Sequence, residues 1–228
     1  ERAAYIIEKT MMGGKGTDWQ KESLRRGIFQ NVQLSASGGK KDVRYFISGG
    51  YQRDEGMMYK SYFEKFNIRA KMNMDLSSRV KVSMNINPSY TRRETPSKIL
   101  TNFYRYPSFI PVYHNALTAA NVNQIAQWAN IRPGDFAQPR HFSSIAYSGT
   151  MPDGSTWGPT VADPFSSAQN TPKSSVLGQE NKSNEYRLQA AGDISVNIIP
   201  GLDFKSMASV YVNYVTTLNW ANRNATAD

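Results

Sequence analysis

Apolar and polar residues alternate strictly along one segment, and this alternation constrains the fold more than any other feature of the chain. Across residues 66–76 every even-numbered residue is apolar and every odd-numbered residue is polar or charged. Successive side chains of a β-strand point to opposite faces, so the segment would have one apolar and one polar face. On a helix the same residues would scatter charge around the whole cylinder. The segment is therefore predicted to be a β-strand.

Five further segments show the same period of two, at residues 31–36, 43–51, 80–86, 186–198 and 202–220. Turn-forming residues separate the segments in pairs, and only Ser77-Ser78-Arg79 lies between the strand at 66–76 and the next one. Such short connections predict tight hairpins. The last segment alternates less cleanly, because Met207 and Tyr211 fall on its polar side. We predict six strands in three hairpins.

The predicted connections alternate between short and long. Residues 38–42, 77–79 and 199–201 are short, whereas 54–61 are intermediate and 93–183 are very long. Outer-membrane barrels have short turns on one side and longer extracellular loops on the other, and their strands are long enough to cross a bilayer. We therefore predict an all-β fold, an antiparallel up-and-down meander that forms a partial transmembrane β-barrel of about six strands with one long extracellular loop.

A soluble antiparallel sandwich explains the alternation equally well, although it gives no reason for the sorting of the connections. A soluble β-rich carbohydrate-binding module is thus the alternative hypothesis, and it predicts a closed six-stranded core. Enzymatic activity is not expected. The chain has no cysteine, its two histidines form no HExxH motif and no GxSxG sequence occurs, so we predict no cofactor or metal.

The net charge of +9 raises the question of nucleic-acid binding. A single-strand binder interleaves aromatic residues with Lys and Arg on one open face, whereas here Lys and Arg alternate with aliphatic residues. We therefore expect no nucleic-acid partner. If the apolar faces meet lipid, the polar faces line a lumen, and the candidate lumen-lining residues are Arg44, Lys65, Arg69, Lys71, Lys81 and Arg187.

An ordered pattern of residues in the first 90 positions adds a family resemblance. It comprises Asp18-Trp19-Gln20, Gly27, Gln30-Asn31, Leu34-Ser35, Ser37-Gly38-Gly39, Tyr45, Ser48-Gly49-Gly50-Tyr51, Glu55-Gly56, Phe66 and Arg69. This pattern resembles the early barrel of SusC/RagA-type TonB-dependent transporters. The agreement fades after Tyr90, and residues 184–220 agree only in general barrel style.

The resemblance implies a parent protein with a barrel of about 22 strands, an N-terminal plug, a TonB box and a SusD-like lipoprotein lid. Such a parent imports oligosaccharides or peptides across the outer membrane of a Gram-negative, Bacteroidetes-type bacterium, in contact with membrane lipid. The chain would supply a lead-in segment after the plug at 1–27, barrel strands at 28–92 and 184–220, a long extracellular loop at 93–183, and the start of a further loop at 221–228.

The long connection is rich in aromatic residues that could stack against a sugar or a peptide. The candidate solute contacts are Tyr104, Tyr113, His114, Trp128 and Trp157. The competing hypothesis is that these residues pack the loop onto itself. Short helices are predicted within it at 96–104 and 117–130.

Overall fold

Six long strands form one antiparallel sheet in the computed structural model, which describes residues 16–98, 100–142, 145–161 and 171–222. The strands are β1 Ile28–Lys40, β2 Val43–Glu55, β3 Tyr62–Asp75, β4 Val80–Glu94, β7 Gln179–Ile199 and β8 Leu202–Ala221. Each pairs with its neighbour in the order β1-β2-β3-β4-β7-β8, and the sheet is not closed. The prediction of an up-and-down, partial barrel fold is confirmed.

Short turns join the strands at one end of the sheet and long connections join them at the other. Residues 41–42, 76–79 and 200–201 form the short turns, and Gly201 has a φ of 88° that glycine adopts without steric cost. Residues 56–61 join β2 to β3, and residues 95–178 join β4 to β7. Because consecutive strands are antiparallel, all connections of one kind lie at the same end.

The hairpin of β7 and β8 extends further than the alternation predicted. Lys182 lies opposite Glu94 on β4, and Glu180 lies opposite Trp220 on β8. Residues 179–185 are polar on both faces, so their sequence contains no period of two. Pairing with both neighbouring strands is what makes this segment part of the sheet.

The connection between β4 and β7 contains short elements. They are α2 Leu100–Tyr104, α3 Ala116–Val122, a 3-10 turn Ala126–Trp128, α4 Pro139–Phe142, the strands β5 Ala146–Thr150 and β6 Thr156–Val161, and α5 Pro172–Gly178. The helix predicted over 117–130 is therefore a seven-residue α-helix followed by a separate 3-10 turn. The side chain of Asn123 donates to the carbonyl of Ile131, and this bond turns the chain after α3. None of the helices in the described ranges is long and apolar enough to cross a membrane.

The hydrophobic core lies outside the six-stranded sheet. The buried apolar side chains cluster in the long connection together with Trp19, which begins a helix, α1 Trp19–Ser23, ahead of β1. Trp19 donates from its indole nitrogen to the carbonyl of Pro107 at 2.9 Å, and Thr17 donates to the carbonyl of Ile110 at 2.8 Å. In the described residues, no large apolar side chain of β1–β4, β7 or β8 is among the buried ones.

Candidate functional site

One face of the sheet is apolar and open to its surroundings. The strand register places the even-numbered residues of β3, such as Ile68, on the same face as Leu34 of β1 and Val212 of β8. Leu34 is 75% exposed, Ile68 is 53% exposed and Val212 is 50% exposed. An apolar face of this size normally packs on another layer or meets a partner or a membrane. The closed core that a soluble six-stranded module requires is not formed.

A row of aromatic residues crosses this apolar face. The paired positions Tyr51, Phe66, Tyr90, Tyr186 and Tyr214 lie side by side on β2, β3, β4, β7 and β8. The ring centroids are 4.8 Å apart for Tyr51 and Phe66, and 4.7 Å apart for Tyr90 and Tyr186. Neighbouring aromatic rings at these distances stabilise cross-strand pairs. The row therefore forms a continuous band across five strands.

The aromatic row also separates apolar from charged residues. On the side of the long connections the next positions carry charge or amides, and the hydroxyl of Tyr51 donates to Glu64 at 2.9 Å while that of Tyr90 donates to Asn184 at 3.2 Å. On the other side, the apolar positions of β3 from Phe66 to Met74 span roughly 26 Å along the strand, or about 20 Å along a barrel axis at the usual tilt. This height covers most of the roughly 25 Å apolar band of an outer-membrane barrel.

An open depression of about 740 Å³ lies on the apolar face beside the aromatic row. It is lined by Leu34, Tyr51, Ile68 and Val212, and Gly49 lies at its floor, where a Cβ atom would meet nothing within 4 Å. Its lining is almost entirely apolar, so it suits hydrocarbon better than a polar solute.

The opposite face is polar, and it carries all six predicted lumen-lining cations. Lys65 lies opposite Gln52 and Thr91, and Lys71 lies opposite Asn85. The same register places Arg44, Lys65, Arg69, Lys71, Lys81 and Arg187 on one side of the sheet. The structure thus brings these residues onto a shared surface that is distinct from the apolar band.

The cations of the polar face differ in their partners. Arg187 bonds Glu185 at 2.6 Å, Lys205 lies 3.9 Å from Asp193, and Lys81 is paired in register with Asp75. Arg44, Lys65, Arg69 and Lys71, like Lys81, have no carboxylate within 4.0 Å in the described part of the chain, but unlike Lys81 they are not directly opposite an acidic residue. The Arg187–Glu185 pair joins two residues of one strand, whereas the Lys205–Asp193 and Lys81–Asp75 pairs depend on the register between strands.

His114 occupies the core of the long connection and not its surface. It is 2% exposed, and its Nε2 lies 2.8 Å from Nδ1 of His141. Burial lowers the pKa of His114 to about 4, although Asp135 opposes this shift, and burial with His114 and Arg140 nearby lowers the pKa of His141 to about 3. The two histidines are neutral at pH 7. The contact between the two histidines was not predicted from the sequence, because they are 27 residues apart.

The other aromatic candidates of the long connection occupy different environments. Tyr104 is 52% exposed, whereas Tyr113 is stacked on Phe136 with ring centroids 4.9 Å apart. The ring centroids of Trp128 and His141 are 4.6 Å apart, and the guanidinium of Arg140 lies over the Trp128 ring. Trp157 is on β6, and its side chain lies outside the described residues. The structure does not bring these candidates together in one cavity within the part that it describes.

Convergent metal ligands are likewise absent from the described ranges, where no group of three His, Asp or Glu side chains is found.

Comparison with known proteins relates this surface to outer-membrane transport. No family model matches the chain. TonB-dependent receptor P3 of Formosa agariphila is 38% identical over 85 residues, which are 37% of this chain and 8% of that protein. The match thus spans a small part of the relative's length.

The fold is similar to that of solved transporter structures. A structure of the RagAB peptide transporter matches 92% of this chain and 20% of its own chain, with a TM-score of 0.58 and 15% identity. The RagAB peptide importer in the "closed-closed" state matches 90% of this chain and 20% of its own, with a TM-score of 0.56 and 17% identity. At these identities the likeness concerns the fold. The sequence match to a TonB-dependent receptor and the fold match to RagAB together support a similarity to a barrel segment of SusC/RagA-like TonB-dependent transporters.

Proposed function

We propose that this chain forms part of the wall of an outer-membrane importer. The apolar face meets lipid, the polar face lines the lumen, and the long connection lies on the extracellular side. The parent protein would take up oligosaccharides or peptides through this lumen with energy from TonB, in a Gram-negative, Bacteroidetes-type bacterium. The chain would serve transport and not catalysis.

The observation that carries this proposal is the location of the hydrophobic core. The sheet exposes its apolar face, with Leu34 at 75% exposure, while Trp19 and the long connection bury theirs. The row of Tyr51, Phe66, Tyr90, Tyr186 and Tyr214 borders that face at one end. Aromatic rows of this kind lie at membrane–water interfaces, where the ring contacts hydrocarbon and the hydroxyl contacts polar groups.

The proposed partners follow from the relatives. The match to a protein named TonB-dependent receptor supports coupling to TonB, and the RagAB structures are named as a peptide importer. A SusD-like lipoprotein would contact the extracellular side, where the described residues of the long connection pack around Phe103, Ile110 and Val122.

Site-directed spin labelling tests which face meets lipid. Single cysteines would replace Ile68 and Arg69 in the full-length transporter in outer-membrane vesicles, because the side chains of these neighbours point to opposite faces. Collision rates with molecular oxygen, which partitions into lipid, and with a water-soluble nickel chelate would then be measured for each label. Leu34 and Gln33 provide a second matched pair on β1.

We expect oxygen to relax the labels at positions 68 and 34 more strongly, and the nickel chelate to relax those at 69 and 33. Equal access of the nickel chelate to both members of each pair would contradict a lipid-facing sheet. Uptake of labelled oligosaccharides and peptides by cells with and without TonB tests the transport function itself, and no TonB-dependent uptake of any probe would reject it.

A further inference from the structure

Four cations without carboxylate partners lie close together on the polar face. We call Arg44 of β2 with Lys65, Arg69 and Lys71 of β3 the basic strip. Residues two apart on a strand share a face and lie about 6.6 Å apart, so Arg69 and Lys71 are direct neighbours. Arg44 is paired with Asn73, which places it diagonally next to Lys71. The basic strip therefore runs along β3, on the face past which a solute would move through the lumen.

No acidic residue lies beside the middle of the basic strip, whereas Asp54 and Asp75 lie diagonally next to Lys65 and Arg44 at its two ends. Residues 31–37, 44–52, 65–73 and 83–91 of the four adjacent strands include no Asp or Glu. Asp54 and Asp75 occupy the polar face only beyond the two ends of this zone. Because uncompensated charges of one sign in a confined channel add their fields, the zone would concentrate anions.

Three further cations of this face, unlike those of the basic strip, have an acidic residue close by. Lys81, Arg187 and Lys205 on β4, β7 and β8 each have a carboxylate in contact or opposite in register. These paired cations have much of their field cancelled by the neighbouring carboxylate. The two sets share a face and a charge but differ in their capacity to bind an anion.

Neutral hydrogen-bonding groups fill the polar face around the basic strip. Hydroxyls and amides come from Ser35, Ser48, Asn67, Asn85 and Ser89, among others, and Phe46 is the single large apolar residue that the register places on this face in the zone. Such groups match the hydroxyls of a sugar, whereas the apolar side chains of a peptide would find little to contact.

We infer that the basic strip selects oligosaccharides that carry carboxylate or sulfate groups. Lysine and arginine bind both anions through charge-assisted hydrogen bonds, and the amides and hydroxyls around them bind sugar hydroxyls. This inference rests on the proposed function, because it requires the polar face to line the lumen. It names the class of solute that the channel favours.

Uptake by cells that produce the full-length transporter tests the inference. The strip variant carries Lys65→Gln, Arg69→Gln and Lys71→Gln, and the matched control carries Lys81→Gln, Arg187→Gln and Lys205→Gln. Both remove three positive charges from the same face. The probes are labelled tetragalacturonate, a chondroitin sulfate tetrasaccharide, neutral maltotetraose and tetraglutamate, each measured with and without TonB. The amount of folded transporter in the outer membrane is determined for every variant.

We expect the strip variant to take up the two anionic sugars at least about tenfold more slowly than the parent, since electrostatic focusing raises association rates by factors of this order. Uptake of maltotetraose should be unchanged within about twofold, and the matched control should lose much less uptake of the anionic sugars because its cations were already paired.

Three results would overturn the inference while leaving the transport function intact. They are TonB-dependent uptake of maltotetraose without uptake of either anionic sugar, equal losses in the strip variant and the matched control, and a loss confined to tetraglutamate, which would indicate an acidic peptide. If no probe enters in a TonB-dependent manner, the proposed function fails and not only its specificity.

Discussion

Nε2 of His114 lies 2.8 Å from Nδ1 of His141, and the surrounding bonds determine which nitrogen carries the proton. Nδ1 of His141 also accepts from the backbone N–H of Gln138, so it is an acceptor in both bonds and His114 must donate from Nε2. Nδ1 of His114 faces the hydroxyl of Thr118 at 3.2 Å. Protonation of His141 at Nδ1 would break two bonds at once.

This pair predicts that the long connection loses stability in acid. The unfolded loop takes up protons near pH 6.5, the usual pKa of histidine, whereas the folded pKa values are lowered to about 4 and about 3. Stability should therefore be highest above pH 6.5 and decrease between pH 6.5 and about 3, where the unfolded state binds more protons. Tryptophan fluorescence reports the transition, because Trp128 contacts His141.

The double variant His114→Gln, His141→Asn provides the control for the acid transition. A glutamine amide can donate where Nε2 of His114 does, and an asparagine oxygen can accept where Nδ1 of His141 does, but neither titrates. The variant should remain folded through this pH range. A transition at the same pH in the variant and the parent would show that other groups cause it.

Trp19 should stabilise the long connection between β4 and β7 through one hydrogen bond and one ring contact. Its indole N–H donates to the carbonyl of Pro107, and its ring meets that of Tyr106 at 4.9 Å, edge to face. Trp19→Phe should lower the free energy of unfolding of the loop by about 1 kcal/mol, and Trp19→Ala by about 3–5 kcal/mol. Limited proteolysis of residues 95–178 measures both. An alanine variant as resistant as the parent would contradict the packing of α1 into the loop core.

Two glycines on neighbouring strands should differ in their tolerance of alanine. A Cβ on Gly39 would clash with the carbonyl oxygen of Val43, whereas a Cβ on Gly49 would have no neighbour within 4 Å. Gly39→Ala forces the backbone of the β1–β2 turn to shift and should cost about 1–3 kcal/mol. Gly49→Ala should leave stability nearly unchanged. The temperature at which the purified transporter unfolds on an electrophoresis gel compares the two, and equal shifts would contradict the turn geometry.

A charge introduced on the apolar face should be costly in a way that a charge on the polar face is not. Ile68→Lys places an ammonium in the lipid-facing band and should destabilise the barrel by about 2–4 kcal/mol if the site is near the bilayer midplane. The adjacent change Asn67→Lys adds the same charge to the polar face and should cost much less. Urea unfolding in lipid vesicles measures both, and similar costs would argue against a bilayer on the side of Ile68.

The strands at residues 66–76 and 80–86 could be predicted because each shows its two faces in its own sequence. The turn at Pro200-Gly201 could also be predicted, because a Pro-Gly sequence separates two alternating segments. The start of β7 could not be predicted in this way, since residues 179–185 are polar throughout and join the sheet only by pairing with β4 and β8. Likewise the helix predicted over 117–130 is interrupted after Val122, because the side chain of Asn123 bonds Ile131.

The candidate site also combines features that the sequence indicated with features that only the tertiary structure shows. Sequence alone indicated that Arg44, Lys65, Arg69, Lys71, Lys81 and Arg187 each lie on the polar side of their own strand, because a strand alternates its side chains whatever surrounds it. Only the tertiary structure decided that Lys205 lies near Asp193, that five aromatic residues align in one row, and that His114 is buried against His141. These relationships depend on register between strands and on packing of distant segments, and local periodicity contains no information about either.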